Sequence, residues 1–133
     1  MGMYTELLLK AEVEDETPPQ VMRVLEYFFK GGPEPESLPD HPLFEKPRWE
    51  MIGRSSSYYH IPWPDGGMGR GGAERGTWYI FSRSDLKNYD GEIEAFLDWS
   101  RPYLRPATGS CLGWTWYEEA EHPTMILREV EDE

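Results

Sequence analysis

The chain has 133 residues and a mass of 15.5 kDa, and 25 Asp and Glu against 13 Lys and Arg leave a formal net charge of −12. That length fits one domain, residues 1–133, with enough chain for a real core, and that charge argues against wrapping DNA, RNA or an anionic membrane. Aromatic residues at 14% exclude a chain too polar to fold, and one cysteine excludes an internal disulfide framework and suits a reducing compartment.

From Met3 to Val13 the chain alternates. Met3, Thr5, Leu7, Leu9, Ala11 and Val13 fall on one face of a half-buried strand, with Tyr4, Glu6, Lys10 and Glu12 on the other. Leu8 breaks the polar face, so part of that side is expected to be covered as well. Thr17-Pro18-Pro19-Gln20 reads as a helix start, with Thr17 as cap and Gln20 completing a capping box. Val21, Val24, Leu25, Phe28 and Phe29 then form one helical stripe, which Gly31-Gly32 ends because glycine enters the left-handed region cheaply.

Five prolines between Pro33 and Pro47 demand an irregular connection, packed through Leu38, Leu43 and Phe44. Trp49, Met51, Tyr58, Tyr59 and Ile61 predict a strand within Arg48 to Ile61, bent at Gly53. Pro62 to Gly76, with six glycines, reads as a flexible loop, and Thr77 to Arg83 as the second strand of a hairpin around it. A second helix begins near Asn88 or Asp90, buries Ile93, Phe96, Leu97 and Ser100, and closes at Pro102 and Pro106. Cys111 to Tyr117 and Thr124 to Val130 predict a last pair of strands, followed by a frayed acidic tail at 129–133.

The order strand, helix, strand, strand, helix, strand predicts an α+β fold, a ferredoxin-like split βαβ sandwich (βαββαβ) with an extra C-terminal strand. Both helices would lie on one face of an antiparallel sheet. Another small α+β sandwich is the alternative.

The candidate chemistry is thin. Gly67-Met68-Gly69-Arg70-Gly71-Gly72 satisfies a dinucleotide-binding pattern, but a strand should precede it and a helix follow, and Thr77 opens a strand. Gly109-Ser110-Cys111-Leu112-Gly113 mimics a nucleophile elbow, yet an extended stretch follows, so Cys111 reads as a small core residue. His41, His60 and His122 are scattered, so no metal or cofactor is expected. Arg54, Ser55, Ser57 and Tyr59, joined by Arg83, could hold a phosphate or carboxylate; a polar-outward strand is the plainer reading.

Charge is uneven along the chain. Residues 1–47 carry −6, residues 48–89 carry +2, residues 90–117 carry −2 and residues 118–133 carry −6. A basic middle on an acidic body suits steering of a partner. Trp63, Arg70, Glu118, Glu119 and Glu121 are the candidate contact residues, in the glycine loop and the acidic end.

The stretches MYTELLLKAEVEDETPPQVMRVLEYF, NYDGEIEAFLDWSRPYL and GWTWYEE resemble small acidic uncharacterised proteins encoded by phages and prophages. The resemblance implies an accessory protein made in a bacterial cytoplasm and supplies no catalytic residue. No apolar run reaches the ~18 residues of a membrane span, no signal-peptide pattern is visible, and Glu6 stands where a myristoylation motif needs Ser or Thr. The expected function is therefore a non-enzymatic binding protein that engages a host protein, in one variant by mimicking nucleic acid. A small anionic-ligand binder or enzyme is the alternative, and a homodimer joined at a sheet edge with no ligand is the third reading.

Overall fold

The computed structural model describes residues 4–53, 66–71, 77–106 and 109–128, and builds a mixed α+β fold from two helices and one antiparallel sheet of six strands. The strands are β1 (Thr5–Val13), β2 (Gly66–Gly71), β3 (Thr77–Leu86), β4 (Leu104–Pro106), β5 (Cys111–Tyr117) and β6 (Thr124–Leu127); the helices are α1 (Pro19–Phe29) and α2 (Glu92–Ser100). The sheet runs β2-β3-β1-β5-β6, with the short β4 pairing β1 beyond the end of β5.

β1 is central because its alternation serves two layers. Leu7, Leu9, Ala11 and Val13 are buried in one core with Val24, Leu25, Phe28, Ile93, Phe96 and Leu97 of the helices. Burying an aliphatic or aromatic side chain contributes about 1.5–3 kcal/mol, so this stripe-on-strand contact is the main stabilising term. The helices meet through rings: Phe28 lies 5.8 Å from Phe96 and 6.3 Å from Trp99, both edge-on. Edge-to-face geometry suits the ring quadrupoles and adds to burial.

The start of α1 differs from the expected capping box. The helix begins at Pro19, Thr17 Oγ1 donates back to the Glu14 carbonyl at 2.7 Å, and Gln20 reaches Ser37 instead. Two prolines in series hold the chain extended through Pro18, so Thr17 sits too early to cap. At α2 the expected cap acts from a distance: the Asn88 side chain accepts the Ile93 amide at 2.8 Å, while Gly91 occupies the cap position.

The predicted strand from Arg48 is also absent where it is described. Trp49–Met51 is a 3-10 turn, and Trp49 is buried against Phe28 and Phe44 at 5.9 and 5.1 Å. Residues 54–61 of that expected strand lie outside the described residues. The partner of β3 is instead the glycine run itself: Gly66–Gly71, expected to be a loop, pairs residue by residue with Thr77–Ser82. Met68, opposite Ile80, is its one buried anchor. Of the proline segment, Leu43 is buried and Phe44 packs on Trp99 as expected, but Leu38 is exposed.

Among the described residues, two buried hydroxyls, Ser84 Oγ on β3 and Ser100 Oγ on α2, find no hydrogen-bond partner. Desolvating a hydroxyl without a partner is unfavourable. Ser84→Ala is therefore expected to leave stability unchanged or raise it by up to about 1 kcal/mol, read as a melting temperature that does not fall. A drop of several degrees would show a bond or packing role for this hydroxyl.

Candidate functional site

The face of the sheet turned away from the helices carries the alternate residues. β1 presents Glu6, Leu8, Lys10 and Glu12, and β3 presents Asp85, Arg83, Phe81 and Tyr79 directly opposite them. On the other flank Trp116 and Trp114 of β5 stand opposite Glu6 and Leu8, and Met125 of β6 stands opposite Trp114. Leu127 follows Met125 one row along, and Gly67 and Gly69 of β2 stand opposite Phe81 and Tyr79.

This is an apolar surface left uncovered. Phe81 is 50% exposed, Met125 52%, Tyr79 40%, Leu127 39% and Trp116 36%. Single exposed apolar residues are ordinary, but a contiguous set on one sheet face marks an interaction surface. Leu8 lies at its centre, between Arg83 and Trp114, which accounts for the break in the polar alternation of β1.

The tryptophans reach this face through a bulge. Leu112 is fully buried in the core, and strict alternation would put Trp114 and Trp116 beside it. The register shift between Cys111 and Gly113 inserts one residue and reverses the phase, so both indoles turn outward. Trp114 Nε1 then donates to Glu6 Oε1 at 2.9 Å, Trp116 Nε1 donates to the Ala120 carbonyl at 3.0 Å, and the two rings meet edge-on at 6.4 Å.

Charges on and around the face are neutralised within the chain. Arg83 donates to Glu6 at 2.7 Å and to Asp85 at 3.3 Å. Arg105 donates to Glu12 and to Glu14, both at 2.9 Å, and Arg128 meets Glu14 at 2.6 Å. The hydrogen bond to Glu12 is the main reason that the Arg105 pKa is raised, burial opposing it and Glu14 adding to it. Glu6, Glu12, Glu14 and Asp85 balance Lys10, Arg83, Arg105 and Arg128, leaving a neutral patch on a chain of net charge −12.

The candidate residues from sequence separate. Arg54, Ser55, Ser57, Tyr59 and Trp63 lie outside the described residues. Arg83 is on the open face, but its guanidinium is held by two carboxylates, an arrangement unlike a receptive anion site. Arg70 turns to the helix side, 5.7 Å from the Trp78 ring, which also takes Lys30 at 4.8 Å. Glu118 is structural: its carboxylate accepts the Tyr4 amide at 2.7 Å, and its own amide donates to the Tyr4 carbonyl at 3.1 Å. Glu119 and Glu121 are exposed in the β5–β6 turn. Of the expected contact residues, Arg70 lies across the sheet from the neutral patch, and Trp63 lies outside the described residues. The dinucleotide-like glycines are strand residues, and Cys111 is half-buried with its thiol toward the Gly113 carbonyl.

Clefts also lie elsewhere on the described residues. One of about 410 Å³ lies between α1 and the proline segment, lined by Arg23, Glu26, Glu34 and Glu36. A smaller one of about 140 Å³ is lined by Tyr4, Arg48, Met51, Lys87 and Glu92. Among the described residues no group of three His, Cys, Asp or Glu is placed to hold a metal ion, and no helix is long and apolar enough to cross a membrane. Comparison with family models, with curated proteins and with solved structures finds no match.

Proposed function

We propose that this chain is a non-enzymatic protein-binding protein and that the open sheet face is its docking surface. The observation that carries the reading is the row of Tyr79, Phe81, Trp114, Trp116, Met125 and Leu127 around Leu8, uncovered among the described residues, where Glu6, Glu12, Arg83 and Arg105 are held in ion pairs. Aromatic residues on a rigid sheet make good anchors because little side-chain entropy is lost on docking. The resemblance to phage-encoded proteins names a host protein as one class of partner. Nucleic-acid mimicry is less well supported, since among the described strand residues of this face acids and bases balance.

The same proposal takes the fold as ferredoxin-like. Its support is the order β2-β3-β1-β5, all antiparallel, with β6 as an added edge and β4 as a short addition beside β1.

Phe81→Glu places a charge in the middle of the patch without touching the core. Immobilised wild-type chain is expected to retain a specific protein from bacterial lysate, and the variant, with unchanged circular dichroism, to retain at least about tenfold less. Equal capture by both would remove the face from the function. The same experiment with Glu119→Lys separates the acidic turn: it should alter the salt dependence and leave capture in place.

A further inference from the structure

We propose that the open face docks a second copy of this chain, two sheets packing face to face about a two-fold axis that runs along β1. The inference rests on the reading of this face as a docking surface and names its occupant.

Three observations select a second copy. The first is charge. A chain of net charge −12 that used electrostatics to find a basic partner would place its acids in the contact, but here acids and bases balance. Two identical patches of no net charge meet with less repulsion than the rest of the surface would impose, the like charges that the axis sets face to face on β1 (Glu6, Lys10 and Glu12) alternating in sign along the strand.

The second is shape. β1 has two strands on each side, β3 and β2 on one, β5 and β6 on the other. A two-fold axis along β1 therefore sets β3 against β5 and β2 against β6 of the second copy. The two outer strands are opposites in relief. β2 shows bare backbone at Gly67 and Gly69, with nothing within 4 Å of where a side chain would begin. β6 shows Met125 and Leu127, both protruding. Leu127 lies one row beyond Met125, at the level of Lys10, Phe81 and Gly67, so it enters the glycine trough of the other copy. Arg83 and Asp85 meet Trp114 and Trp116 across the interface in the same way, Phe81 stands one row along from Trp114, Leu8 packs on its own mate, and Lys10, which also faces its own mate, has Glu12 of the second copy one row away. Aligned sheets stack about 10 Å apart, the space these side chains fill.

The third is area. Five strands at about 4.8 Å spacing span about 24 Å, and about 20 Å of strand length gives roughly 480 Å² of projected face per copy. The pair buries roughly 1,000 Å² before side-chain relief is added, near the lower bound for a specific interface, the size class of weak, reversible dimers.

Sedimentation velocity of the full chain from about 1 to 100 µM tests this. Wild type is expected to pass from monomer to dimer within the range, while Phe81→Glu and Leu127→Glu remain monomeric with native circular dichroism. Gly67→Val is the geometric probe: it adds apolar surface, which would strengthen a general hydrophobic contact, but it fills the trough, so dimerisation should weaken at least about tenfold. A wild type that stays monomeric throughout overturns the proposal. So does a dimer that survives both glutamates, or one that Gly67→Val leaves intact or tightens. If wild type is monomeric yet Phe81→Glu abolishes capture of a lysate protein, the occupant is wrong and the docking face stands; if Phe81→Glu changes neither measurement, the docking reading itself falls.

Discussion

Gly113→Ala is expected to cost at least about 4 kcal/mol and to leave much of the chain unfolded, since a domain of this size has only about 5–15 kcal/mol to lose. Gly113 sits at φ +150° where β5 crosses closest to β1, and a Cβ built there falls 1.8 Å from the Leu8 carbonyl oxygen. The obstacle is backbone of the central strand, so no side chain can move aside. Relief requires parting β1 from β5 or removing the bulge. The second route restores plain alternation and turns Trp114 and Trp116 toward the core, which is already filled by Leu112 and Ile126. Chemical denaturation gives the first number, and near-ultraviolet circular dichroism reports the tryptophans. A variant with wild-type stability and spectrum would mean that the close approach of these strands is wrong.

Glu92→Ala is expected to be the largest effect from loss of a single charged group, about 3 kcal/mol or about 10 °C in melting temperature. Glu92 is fully buried at the start of α2, and three donors converge on it: the Asp90 amide at 3.1 Å, the Asn88 amide at 3.1 Å and Arg48 Nε at 3.2 Å. Its charge also complements the positive end of the helix. Burial works against the Arg48 charge, but the hydrogen bonds and charges of Glu92 and Asp90 outweigh it and hold the Arg48 pKa above its usual value. A raised cationic pKa means that the contribution of the Arg48 charge is fully present below the ordinary arginine pKa and is lost only as pH rises through the raised value, in strong alkali. Arg48→Met tests the division of labour. Two amides still hold Glu92, so the loss should be about half as large, and a loss as large as that of Glu92→Ala would put the weight on the ion pair rather than the helix cap.

Much of the architecture was legible because it is written in side-chain periodicity. β1 showed its two faces, α1 its stripe, and α2 its core residues apart from Trp99. The failures share one cause: the signal lay in backbone. Glycine has no side chain with which to show a period of two, so β2, anchored by Met68 alone, read as a loop. Trp49 and Met51 looked like alternate strand positions, but Trp49 was closing over the aromatic cluster of the helices from a single 3-10 turn. The candidate site was hidden for a related reason. Leu8 was the one visible sign, since a one-residue bulge at Gly113 reverses the phase of β5 and sends two tryptophans to the side that pattern alone assigns to the core. The remaining members became a surface only when the sheet order set β3, β1, β5 and β6 side by side.

The central place of β1 also fixes when the molecule can exist. The strand that β3, β4 and β5 pair with precedes all of them, and β5 follows far behind: Tyr4 is tied to Glu118, 114 residues further on. Such long-range closure makes folding slow compared with a local helical bundle, and on a ribosome β1 must wait until β5 has emerged. The two tryptophans and Met125 arrive only with β5 and β6. Half of the apolar face is therefore missing from a nascent chain until those strands emerge, so neighbouring chains on one message have only an incomplete face to offer each other before then.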